Sequence, residues 1–219
     1  QVLFIQAEQS DFEGMLKVSE EALTYFSTEP LFYYFNGVAN KWFKNYDQAI
    51  ISLNMGVEFI FDNRMLLLEF YSSLADSYHA IKDHKSSDEY YEKSLEIDSN
   101  NVVILNNYAY YLSLRRIKLE KAKKMSYKCN ELDKDNGTYQ DTYAWILYVL
   151  ADYEQAKIWI QKSLANGSDL SAVVVEHYGD ILYQLGNIKD AIIEWEKAKK
   201  LGKASKFLDK KIEEGKLYE

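Results

Sequence analysis

The stretch YAWILYVLADYEQAKIWIQKS, residues 143–163, reads as two apolar-periodic segments hinged at LADYE, with Ala144 and Ala156 set among large side chains. Apolar residues recur at steps of three and four on either side of the hinge, the spacing of a helix with one buried stripe. A small residue within such a stripe marks a place where two helices cross closely. Protein interiors are packed near crystal density, so a larger side chain there would force the helices apart. The same arrangement returns in NNYAYYLS (106–113) and EHYGDILY (176–183).

Working outward, the small residues form three series. Gly37, Ala75, Ala109, Ala144 and Gly179 are separated by 38, 34, 35 and 35 residues. Ala49, Ser87, Ala122, Ala156 and Ala191 follow them after 12, 12, 13, 12 and 12 residues. Gly56, Ser94, Cys129, Ser163 and Ala198 each come seven residues later again. Five copies locked in phase at a period near 34 predict a solenoid of helical hairpins. Each hairpin reads as two helices of about 14 residues joined by a tight turn. The turns are FKNYD (43–47), IKDHK (81–85), RRIKLE (115–120), LADYE (150–154) and LGNIK (185–189). Gly167 and Gly202 fall where second helices end, which predicts left-handed caps at both.

Composition agrees. The 219 residues hold one proline and nine glycines, too few breaks for a protein of strands and hairpins. Hydrophobic residues at 47% and aromatics at 15% argue against disorder, and no run of 18 apolar residues reads as a membrane span. A net charge of −8 repels polyanions, which excludes nucleic acid as the expected partner. Lys118, Lys121, Lys124 and Lys128 form a local basic stripe that reads as a solvated helix face. Cys129 is the sole cysteine and stands in the third small-residue series, so it reads as a small buried thiol. The chain opens at Gln1 without Met, which reads as a fragment.

The order of a small residue, Ala twelve on and a small residue seven further resembles the tetratricopeptide repeat, or TPR. YGDILYQLGNIKDAIIEWEKA (178–198) and residues 143–163 resemble its pattern most closely, while Asn40 and Ser87 depart from it and the expected proline after the second helix is missing at Ser99, Lys134 and Ser168. The resemblance implies an all-α, right-handed superhelical solenoid of antiparallel helix pairs. It divides the chain into a partial pair at 1–29 and repeats at 30–67 (with a long connection), 68–101, 102–136, 137–171 and 172–204. Residues 205–219 then read as a C-terminal capping helix covering the last apolar face. The phrasing further resembles bacterial TPR proteins often exported as lipoproteins, implying the cell envelope or periplasm, with the cytoplasm as the alternative.

No catalytic constellation accompanies this pattern. His79, His84 and His177 lack metal-ligand spacing and read as surface or packing residues, and no nucleophile motif or phosphate loop is present. The expectation is a non-enzymatic protein that needs no cofactor or metal. By resemblance, the first helices line a concave groove through Tyr34, Val38, Lys41 and Trp42; Ser72, Asp76 and His79; Asn106, Tyr110 and Ser113; Asp141, Trp145 and Tyr148; and Glu176, Asp180 and Tyr183. The family's carboxylate clamp needs Lys, Arg and Asn, whereas Asp76, Asp141, Glu176 and Asp180 stand here, so that function is set aside. The groove reads as an aromatic and acidic trough for an apolar or cationic protein or peptide segment. Two alternatives stay open: self-association through apolar surface at VLFI (2–5), giving a homo-oligomer, and a regulatory or substrate-docking arm of a larger protein.

Overall fold

The computed structural model describes every residue except Lys203 and Glu219. Among the described residues the regular structure is helical and contains no strand. No helix there is long and apolar enough to cross a membrane. The chain divides into two compact units, Gln1–Ile104 and Leu105–Glu219.

The first unit contains α1 (Val2–Glu8), α2 (Phe12–Tyr25), α3 (Pro30–Trp42), α4 (Tyr46–Val57), α5 (Arg64–Ala80) and α6 (His84–Ile97). They form three antiparallel pairs, α1–α2, α3–α4 and α5–α6. Helix α5 reaches back to Arg64, ahead of the boundary at 68 that the period suggests, because Asn63 caps it by accepting from the Leu66 N–H at 2.9 Å. Pro30 opens α3 at the position where a missing N–H costs nothing. The core gathers Tyr33, Leu53, Phe70 and Leu74, with Leu3, Met15, Phe35 and Ala39 packed at the α1–α2 side.

The boundary between units falls in the first turn of α7 (Val102–Leu114). The second unit continues with α8 (Leu119–Leu132), α9 (Gly137–Val149), α10 (Tyr153–Ser163), α11 (Ala172–Gln184), α12 (Ile188–Leu201) and α13 (Leu208–Glu214). Its core joins Tyr143, Leu147, Ile160 and Ile181 to a second cluster of Val175, Leu182, Trp195, Ala198 and Leu208. Each fully buried side chain of this size contributes about 1.5–3 kcal/mol.

All fifteen small residues of the three series are buried. The clearances are tight: a Cβ added to Gly37 would stand 2.6 Å from Leu53 Cγ, and one on Gly56 would stand 2.7 Å from Tyr33 Cβ. On Gly179 it would run into the Trp195 indole and within 3.1 Å of the Ala191 carbonyl. Buried hydroxyls in the series donate to carbonyls: Ser94 turns back to Tyr90 in its own helix at 2.8 Å, and Ser163 reaches Gly137 at the start of α9 at 2.7 Å.

One turn joins the two helices of most pairs. A residue in the left-handed region follows the first helix: Ser10, Lys44, Lys82, Arg116, Ala151 or Gly186. The next N–H then closes a six-residue ring onto the first helix, as in Asn45 to Asn40 (2.9 Å), Asp83 to Tyr78 (3.0 Å) and Asp152 to Leu147 (2.9 Å). Asp83 and Asp152 also cap the following helix, accepting from the Ser86 and Gln155 N–H groups. Of the two expected glycine caps, Gly167 is left-handed at φ 91°, ψ 8°, within a π-turn at Leu164–Ser168. Gly202 departs from the expectation: φ 127° with ψ −127° is a conformation open to glycine alone, and it redirects the chain towards α13 rather than capping α12 in the left-handed way.

Candidate functional site

The groove positions read from the sequence fall into two patches, one in each unit. In the first unit, Val38 and Trp42 line a cavity of about 560 Å³ together with Phe12, Lys41, Lys44 and Tyr46. Trp42 is 62% exposed and stacks on Phe12 with ring centroids 4.2 Å apart. Tyr34 lies against Phe70 and donates to Glu69 at 3.3 Å, and burial raises its hydroxyl pKa to about 12. Lys41 pairs with Asp76 at 3.4 Å, and Asp76 also accepts from the Tyr91 hydroxyl. Ser72 and His79 stand outside this cavity, the His79 ring lying 5.6 Å from that of His84.

In the second unit, Tyr110, Ser113, Trp145, Glu176 and Asp180 meet around a cavity of about 470 Å³. Leu114, Arg116, Val149, Val173, His177, Phe207, Lys211 and Tyr218 complete much of its wall. Asn106 and Tyr148 are buried beside their helices, and Tyr183 stacks on Trp195 at 5.8 Å. These three do not line the cavity.

Two wall residues belong to a column of stacked rings: Tyr148 lies 5.0 Å from Trp145, which lies 4.4 Å from the His177 imidazole. His177 Nδ1 stands 2.9 Å from Asp141 Oδ1. Burial works against the imidazolium, but the Asp141 carboxylate, reinforced by Asp180 and Glu176, outweighs it and raises the His177 pKa above 6.5. Burial likewise raises the Tyr110 hydroxyl, with Asp141 adding to the effect.

The cavity floor is ionic. The Lys211 ammonium donates to Glu176 Oε1 at 2.8 Å and to both Asp180 oxygens at 2.7 Å. Lys211 is only 3% exposed. The Trp195 indole N–H donates to Asp180 at 2.8 Å, and the Ser205 backbone N–H donates to Glu176 at 2.7 Å. Burial lifts the Asp180 pKa to about 6 despite the ammonium beside it. Burial would lift Glu176 too, but hydrogen bonds from Lys211 and Ser205 hold it below the ordinary range. Two carboxylates thus share one ammonium, Lys211, with further donors from the Trp195 indole and Ser205.

Sequence reasoning put His177 among packing residues and gave Lys211 no part in the groove. Two signals point to the ion pair. Glu176 and Asp180 are spaced i, i+4, stacking two acids on one helix face, and Lys211 falls on the apolar stripe of Leu208 and Ile212. Elsewhere, burial raises the Cys129 thiol to about 12, far from the range of a reactive thiolate. Among the described residues, no group of three or more His, Cys, Asp or Glu side chains could hold a metal ion.

Residues 68–101 match the tetratricopeptide repeat family. A TPR repeat-containing protein of Methanocaldococcus jannaschii is 26% identical over 200 residues, which cover 84% of this chain. The chain spans 33% of that relative's length. Among solved structures, Pseudomonas aeruginosa pilF superposes with a TM-score of 0.67 at 22% identity, covering 79% of this chain and 76% of its own. YrrB, a TPR protein with an unusual peptide-binding site, superposes at 0.61 and 16% identity, covering 76% of this chain and 84% of its own. The Cut9–Hcn1 assembly of the APC/C superposes at 0.80 and 10% identity, covering 97% of this chain and 41% of that one. With the buried small-residue series and the repeated helix pairs, these likenesses show a tetratricopeptide-repeat fold, with residues 68–101 matching the family itself.

Proposed function

We propose that the protein is a non-enzymatic scaffold that docks an extended segment of a partner protein on the groove face of its second unit. The TPR fold is a protein-interaction scaffold in general, and the likeness to YrrB, a TPR protein with an unusual peptide-binding site, is in keeping with that use. The observation that carries the reading is the cavity of about 470 Å³, whose wall presents Tyr110, Trp145 and Val149 above a floor of internally paired charge. Apolar surface above a floor whose carboxylates are hydrogen-bonded within the chain suits an apolar partner segment, and aromatic anchors in concave sites carry much of the energy of such interfaces. Micromolar binding needs about 8 kcal/mol net against an association cost of at least about 4 kcal/mol. At about 1.5–3 kcal/mol per buried anchor, four to eight anchors are required, so more than one repeat takes part.

Affinity capture from the native host, with mass spectrometry of the eluate, tests this reading. The Tyr110→Ala, Trp145→Ala double variant is expected to lose the captured partner while keeping its helical circular dichroism. Undiminished capture by the folded double variant would place the interface elsewhere. A second reading, self-association, is supported by the exposed Val2, Phe4, Ile5 and Phe26 in the first unit, where Phe4 and Phe26 border a cavity of about 390 Å³. Light scattering across a concentration series separates the two, since a strict monomer leaves only the groove.

A further inference from the structure

The segment 204–218 does more than cover an apolar end. Of the seven residues of α13, only Leu208 and Lys211 are buried, and one of those two is an ammonium. Leu208, Ile212 and Leu217 pack on the core of Val175, Leu182 and Trp195 as a cap would, but a cap needs no ammonium at 211, because replacing a buried ion pair by well-packed apolar groups is often neutral or stabilising. The Lys211 amine instead enters between Glu176 and Asp180, which α11 carries one helical turn apart at groove positions. The same segment supplies Ser205, Phe207 and Tyr218 to the cavity wall that Tyr110 and Trp145 also line. The segment thus shares the cavity with the first-helix residues read as the groove.

We propose that segment 204–218 is an internal ligand of the groove, a strap whose Lys211 takes the place of a lysine from an apolar partner segment and which that segment displaces. The proposal rests on the docking role of the second unit and adds its regulation and the chemistry of the occupant. Exchange of one ammonium for another leaves both carboxylates paired throughout. An occupant without a cation would strand Glu176 and Asp180 in a buried site, at a cost that selects against it. The strap's own pattern, Phe207 and Leu208 followed three residues later by Lys211, describes the segment that replaces it.

The test uses the full chain and no partner. Amide hydrogen exchange is measured on the wild type and on Lys211→Met. A synthetic peptide of residues 204–218 (ASKFLDKKIEEGKLY) serves as the probe, alongside the same peptide carrying methionine at the position of Lys211. In the wild type, amides of 208–214 are expected to exchange ahead of those in 175–182. In Lys211→Met, 204–218 is expected to exchange about a hundredfold faster while 172–201 is unchanged. The lysine peptide then slows exchange in α9 and α11 of the variant, and the methionine peptide binds at least about tenfold more weakly. Exchange of 208–214 only by global unfolding, a Lys211→Met chain that does not fold or whose strap stays protected, or peptides that bind equally or not at all would each overturn the proposal. These outcomes are independent of capture by Tyr110 and Trp145, so the strap and the docking role fail separately.

Discussion

Asp76 in the first unit and Asp180 in the second hold the same place in their repeats, one residue after Ala75 and Gly179, and the two are treated differently. Each accepts from an aromatic donor four residues after the second small residue: the Tyr91 hydroxyl for Asp76 and the Trp195 indole N–H for Asp180. Each also meets a lysine. Lys41 reaches Asp76 from the preceding repeat at 3.4 Å with the carboxylate side chain 25% exposed, whereas Lys211 reaches Asp180 from beyond the last repeat at 2.7 Å with 5% exposure. Burial thus separates a near-surface ion pair from an interior one. In the other repeats the position after the first small residue is Val38, Tyr110 or Trp145, and the place of the aromatic donor is taken by Leu53, Ser126 or Ile160. An acid directly after the first small residue comes with a polar aromatic donor in the second helix of its pair.

The largest expected effect tests that contrast directly. Asp180→Ala removes two of the three acceptors around the buried Lys211 ammonium and the acceptor of the Trp195 indole N–H, leaving Lys211 to Glu176 alone, and is expected to cost about 3 kcal/mol in urea denaturation followed by circular dichroism. Asp76→Asn, which keeps an acceptor for Tyr91, is expected to cost at most about 1 kcal/mol. Equal losses would erase the distinction between the two sites.

The next effect concerns clearance. Gly179→Ala drives a methyl into the rigid Trp195 indole and the Ala191 backbone, and is expected to cost about 1–3 kcal/mol. Gly37→Ala meets the flexible Leu53 side chain and is expected to cost less in the same assay. The reverse ranking would mean that close packing around Trp195 does not set the spacing of α11 and α12.

The smallest effect is a pH dependence confined to the second unit. His177 titrates near 6.5 in an unfolded chain and above that value here, because its pairing with Asp141 and the nearby Asp180 and Glu176 outweighs burial. A raised folded value means that the stabilisation is fully present below pH 6.5 and is lost as pH rises through the folded value. A histidine titration followed by NMR should place the His177 midpoint above 6.5, and Asp141→Asn should move it down. An unmoved midpoint would remove Asp141 as the cause.

The repeats were legible because the small-residue series is set by helix crossings within each pair, and residues 12 and 7 apart record that geometry locally. Five of the hairpin turns were also legible in place but not in conformation, since Lys44, Lys82 and Ala151 give no sign of the left-handed region they adopt. The groove was legible only by position. Its charges are settled by contacts one repeat apart, Lys41 with Asp76 and Asp141 with His177, and such pairings leave no pattern within a single repeat. Lys211 was harder still: it lies beyond the last copy of the period, where a lysine in a short charged helix reads as surface. Two stacked acids on the buried side of α11 were the available clue, because buried charges require a partner.

The inter-element side-chain bonds described for the two units, from Lys41–Asp76 to Lys211–Glu176, join residues no more than 36 positions apart. Such short sequence separations keep loop-closure costs low and favour rapid assembly, with each pair able to order as soon as its successor is available. A chain built this way has little need of distant partners while it emerges during synthesis.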